Sequence, residues 1–174
     1  MPDDLVAVTA IGNDRPGIVA GVTKVLYELG CNLEDVSSTI LRGHFSMMLT
    51  VRAPAGVDAA TLEERLGEVA RELSLVITAR PVQEAALEVE PATHVVSVYG
   101  ADQPGIVFKV ASALAERGVN ITALSSRVLG GERPVYALLL EVVAGDEDVA
   151  QDLAGIKDEL GVDVTVHPFE SDVL

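Results

Sequence analysis

The chain has 174 residues, 49% hydrophobic and 22% charged, a globular balance sufficient for one medium domain or two small ones. No apolar run approaches the roughly 20 residues of a membrane span, the acidic start Met1-Pro2-Asp3-Asp4 is unlike a secretory signal, and the lone Cys31 permits no intrachain disulfide or thiolate cluster. A cytoplasmic location is expected. Twelve basic against 27 acidic residues give a formal charge of −15, with −5 in residues 1–84 and −10 in residues 85–174, so direct binding to nucleic acid or to an anionic membrane is not expected.

In chain order, Leu5 to Ile11 is a short run rich in β-branched residues that ends at a glycine and reads as a strand. Ile18, Val19, Val22, Val25, Leu26 and Leu29 then recur at helical spacing and stop at Gly30, a good residue to close a helix. Asn32 to Leu41 and His44 to Arg52, separated by Arg42-Gly43, form a predicted hairpin. Leu62, Leu66, Val69, Ala70 and Leu73 mark a second amphipathic helix, and Leu75 to Val82 a last strand. After a glutamate-rich connector over residues 85–92 the whole order returns: His94 to Tyr99, a helix through Ile106, Val107, Val110 and Leu114 to Gly118, a hairpin around Gly130-Gly131, a helix through Val149, Leu153, Ile156 and Leu160, and Val162 to Pro168.

The return is a true internal repeat. Gly12-Asn13-Asp14-Arg15-Pro16-Gly17-Ile18-Val19 comes back 88 positions later as Gly100-Ala101-Asp102-Gln103-Pro104-Gly105-Ile106-Val107, and 13 of the 27 positions from Gly12 to Ser38 are identical in the second copy. Strand, helix, hairpin, helix, strand is the split βαβ order of ferredoxin-like folds. The expectation is therefore an α+β protein of two βαββαβ modules with antiparallel sheets, residues 1–84 and 93–174, joined by 85–92 and lying side by side so that each protects a sheet edge of the other.

The turn between the first strand and first helix of each copy carries the specific chemistry. Asp14 and Asp102 are placed to cap the helix, and Pro16 and Pro104 suit a first turn that needs no donor. Gly17 and Gly105 exceed what capping requires, since a missing Cβ there costs entropy unless something approaches the backbone. Bare N–H groups at the positive end of the helix dipole favour an anion such as a carboxylate. Asn32 and Asn120, expected close to the end of the first strand, offer donor and acceptor together, or else simply close the helix.

These residues, Gly-x-Asp-x-Pro-Gly-Ile-Val followed by Gly-x-Asn-(Ile/Leu) in both copies, make the chain resemble tandem ACT-domain proteins of the glycine cleavage system transcriptional repressor family, over essentially its whole length. The resemblance implies binding of an amino acid or related effector through Asn13, Asp14, Pro16, Gly17, Ile18 and Asn32, and through Asp102, Pro104, Gly105, Ile106 and Asn120. Ala101 and Gln103 stand where the first copy has Asn13 and Arg15, which puts two equivalent sites in question.

No cofactor or metal is expected: neither glycine turn has the Lys-Ser/Thr of a phosphate loop, and His44, His94 and His167 lie apart with no partner at ligand spacing. Ser37, Ser38, Ser125 and Ser126 lack a positioned base and read as strand residues or pocket lining, and 3% aromatic residues give little to stack RNA bases. The reading is a regulatory protein, not an enzyme, that senses a small carboxylate and acts through a protein partner in amino-acid metabolism or transcription, with self-association also open. Two alternatives stand beside it: an interaction scaffold with vestigial pockets, and a small enzyme using Asp14 or Asp102 as acid or base.

Overall fold

The computed structural model describes residues 4–82, 90–130, 134–145 and 149–169. Its contacts divide the chain into two compact units, Met1–Glu88 and Val89–Leu174. Residues 85–89 of the expected connector lie outside the described residues, as does Gly131 of the second hairpin turn.

The first unit runs β1 (Asp4–Asn13), α1 (Ile18–Glu28), β2 (Asn32–Leu41), β3 (His44–Ala53), α2 (Ala59–Leu73) and β4 (Leu75–Pro81). The second repeats it as β5 (His94–Ala101), α3 (Ile106–Glu116), β6 (Asn120–Leu129), β7 (Val135–Val143), α4 (Val149–Leu160) and β8 (Asp163–Pro168). The sheets are ordered β2-β3-β1-β4 and β6-β7-β5-β8, with every neighbouring pair antiparallel, so both units have the ferredoxin-like topology.

Alternation decides which sheet face is covered. Phe45, Met47, Leu49, Val51 and Ala53 of β3 are buried with Val6, Val8 and Ala10 of β1, and they pack with Ile18, Val22 and Leu26 of α1 and Leu62 and Leu66 of α2. The second unit has its own core, in which Val96, Val98, Leu138, Leu140 and Val142 meet Val110, Leu114, Leu153 and Ile156. Residues of opposite parity on β3, such as His44 and Met48, are exposed on the other face.

Local chemistry closes each element. Gly30, at φ 74°, ends α1 in a Schellman motif: its N–H donates to Tyr27 O at 3.0 Å and that of Cys31 to Leu26 O at 2.9 Å. Gly118 and Val119 repeat this on α3, donating to Ala115 O and Leu114 O at 3.0 Å each. Cys31 thus holds the buried apolar position after the cap that Val119 fills in the second unit, which accounts for it as a core side chain. Arg42 (φ 49°) and Gly43 (φ 82°) turn the hairpin, the pair of left-handed residues a type I′ turn needs. A β-bulge at Glu34 interrupts the β2–β3 register and recurs at Thr122 between β6 and β7.

Candidate functional site

The β1–α1 turn differs from the sequence expectation at its centre. Asp14 does not cap the helix; the N-cap is Gly17, at φ 97° and ψ −9°, and no side chain bonds the first-turn amides. Gly105 caps α3 with the same angles and likewise without a side-chain bond. Glycine is required at these positions because the backbone is left-handed there, a cause the sequence argument did not contain. A Cβ on either glycine would meet nothing within 4 Å, so the space above both helix mouths is open. Ile18 and Ile106, just inside, are buried in the two cores. Pro16 and Pro104 precede the caps and direct the chain into them.

Asp14 is fixed by its backbone: its N–H donates to Gly43 O at 2.8 Å, tying the turn to the tip of the β2–β3 hairpin. Asn13 pairs with His44 across the β1–β3 ladder. One end of the first unit therefore carries exposed Asn13, Asp14 and Arg15 beside the hairpin tip with Arg42 and His44, Asn13 and His44 sharing the sheet face away from the helices. The helix dipole and the uncapped amides make the mouth of α1 suited to an anion, and Asp14 beside the turn can accept from a donor on the same molecule. Sequence reasoning missed Arg42 and His44, since nothing at positions 42–44 reveals that the hairpin tip returns to the turn.

Asn32 is not part of this group. It pairs with Arg52, which pairs with Leu5, so it stands eight residues down the sheet from Asn13, roughly 26 Å at the rise of a strand. The expectation that it lies close to the end of the first strand is corrected: α1 runs back antiparallel to β1 and delivers β2 to the opposite end. Asn120, opposite Val143, is displaced likewise from Asp102. Within one module the turn and the asparagine cannot grip a single small molecule. Asn32 instead lines a broad hollow with Ala20, Thr23, Lys24, Tyr27, Cys31 and Leu33. Beside it Arg52 grips the carboxylate of the bulge residue Glu34, its Nε donating at 2.6 Å and Nη2 at 3.2 Å.

The two turns are not equivalent. Gln103 donates from Nε2 to Leu160 O at 2.6 Å, supplying a partner to a carbonyl at the end of α4. Arg15, its counterpart, is exposed. Gly12 and Gly100 beneath the turns matter for packing: a Cβ would come within 2.7 Å of Leu75 Cδ2 in the first unit and 2.6 Å of Val162 Cγ1 in the second. Ser125 and Ser126 line a hollow on β6, and Ser37 one on β2, in line with their reading as lining.

Two ferredoxin-like units, each with a glycine-capped first helix that no side chain caps, define a tandem α+β repeat. Residues 4–80 and residues 94–161 each match a family model of the ACT domain. The chain belongs to the ACT-domain family and carries two copies of the domain. It is similar to the glycine cleavage system transcriptional repressor of Escherichia coli (strain K12), at 29% identity over 86% of this chain and 78% of that protein. It is also similar to a UPF0237 protein of Methanopyrus kandleri, at 46% identity over 39% of this chain and 77% of that one. Among solved structures, an unknown protein from Galdieria sulphuraria shares the fold with a TM-score of 0.80, at 24% identity and covering 95% of this chain and 98% of its own. Among the described residues no helix is long and apolar enough to cross a membrane.

Proposed function

We propose that this chain is a cytoplasmic sensor of an amino acid or related small carboxylate, that it catalyses no reaction, and that it passes its state to a protein partner in amino-acid metabolism or transcription. The observation that carries this reading is the open, uncapped mouth of α1, repeated at α3. A ligand carboxylate accepts hydrogen bonds from the amides behind Gly17, with Ile18 as apolar floor, and its ammonium meets Asp14 and Asn13; Pro16 shapes the turn. Asp102, Pro104, Gly105 and Ile106 form the second site, weakened by Ala101 and by the tethering of Gln103. Asn32, and Asn120 at the matching place, contact a ligand in the groove beside the helix end and not at the turn. The net charge argues against DNA as the direct target.

The test is a thermal-shift screen of the full chain against the amino acids. A ligand present at about 100 times its Kd adds roughly 2.7 kcal/mol to native stability. Asn13→Ala and Asp14→Ala remove exposed groups without straining the backbone and reduce the shift, while Asp102→Ala reduces it less. Gly17 is a poor probe, because any side chain there is strained at φ 97° with or without ligand. Absence of a shift with every amino acid, or a shift that survives both substitutions, overturns the reading.

A further inference from the structure

The uncovered sheet face of the second unit holds a feature that the first unit lacks. The ladders place Tyr99 of β5, Ala137 of β7 and Arg127 of β6 in one row across three strands. Ala137 is the small residue of that row, and the space above it is a shallow hollow of about 180 Å³ whose lining includes Tyr99, Arg127, Ser125, Leu129 and Leu139. Tyr99, Leu129 and Leu139 remain 44%, 49% and 41% exposed, so the apolar walls are accessible. The corresponding row of the first unit is Ile11, Ser46 and Thr39, with neither ring nor cation. The repeated fold is indifferent to this difference, since both sheets form with the same order.

We propose that this hollow is a second ligand site, separate from the helix mouths, for a small organic anion with a single planar apolar ring: an aryl carboxylate. Arg127 supplies the recognition. It makes no hydrogen bond or ion pair to any described residue, whereas Arg52, on the same face of the first unit, is engaged by Glu34. A guanidinium presents its donors in a fork that matches a carboxylate. Tyr99 offers a flat ring at the opposite wall, and Leu129 and Leu139 take up apolar surface. Ser125 adds a hydroxyl. No acidic side chain lines the hollow, so an ammonium finds no partner and a zwitterion is disfavoured against a simple anion. The volume lies below the about 300 Å³ at which drug-sized pockets begin, which limits the occupant to one ring.

The experiment is a titration of the full chain with phenylacetate, followed by calorimetry and by amide chemical shifts, with the uncharged phenylacetamide and with acetate as controls. Phenylacetate is expected to bind and to move the amides of β5, β6 and β7, with both controls at least tenfold weaker. Arg127→Gln is expected to weaken phenylacetate at least tenfold and to erase its preference over phenylacetamide. Ala137→Leu fills the hollow and removes the phenylacetate-induced shifts in β5, β6 and β7; a circular-dichroism spectrum and melting curve like those of the parent show that the sheet persists, and Tyr99→Leu gives a second, milder loss. Undetectable binding of phenylacetate, equal binding of phenylacetamide, or shifts confined to the helix mouths overturns the proposal. So does dimerisation in sedimentation that Arg127→Gln or Ala137→Leu abolishes, since a second copy of the chain then covers this face. Asn13→Ala and Asp14→Ala leave phenylacetate binding unchanged, which separates failure of this site from failure of the sensor site.

Discussion

At Gly17 a single backbone angle changes what a sequence motif means. The residue is glycine because φ is 97°, and the open amides follow from that geometry without any side-chain cap. Asp58 at the start of α2 shows the opposite solution, its carboxylate accepting from Thr61 Oγ1 at 2.6 Å and Thr61 N at 2.8 Å. The bond to the Thr61 side chain, then that to its backbone, holds the Asp58 carboxyl below its ordinary pKa. A depressed folded value means that its stabilisation is present above the unfolded pKa, about 3.9, and is lost as pH falls through the folded one. Melting curves of Asp58→Ala should therefore lie below the parent at neutral pH and converge with it in acid. Burial pushes the Cys31 thiol up from its usual range. Less thiolate and restricted access predict that iodoacetamide labels native protein at least about tenfold more slowly than protein in urea, read by mass spectrometry.

Elements carry the next set of expectations. The Arg42-Gly43 turn serves twice, setting the hairpin register and, through Gly43 O, holding Asp14. Gly43→Ala forces a Cβ into φ 82° and should cost roughly 1–2 kcal/mol in denaturant titration. Leu66 on α2 and Leu153 on α4 are fully buried, each in its own core. Leu66→Ala should destabilise by about 2–5 kcal/mol, read as faster hydrogen exchange in β1 and β3, and Leu153→Ala should do the same in β5 and β7. Element order, both hairpins and the glycine stops were legible in the sequence, because hydrophobic period and turn residues act within a few positions. The capping expectation for Asp14 failed because glycine's left-handed angle, invisible in a sequence, moved the helix start three residues on.

For the molecule as a whole, the surplus of acidic residues predicts that the purified chain does not retard duplex DNA in a mobility-shift assay at physiological salt. The repeat by itself reveals two modules, since identity in register over both ends of one helix implies the same fold twice. It could not reveal that Asn32 stands far from Asp14: in sequence they are neighbours across one helix, and only the antiparallel return of α1 separates them. Nor could it show that Arg42 and His44 join the turn, or that Tyr99, Ala137 and Arg127 share a row. Sequence alone determined the elements, their order and their duplication, because backbone preference and apolar period are local. Which side chains meet was decided by strand register and helix direction, which depend on pairing between distant segments.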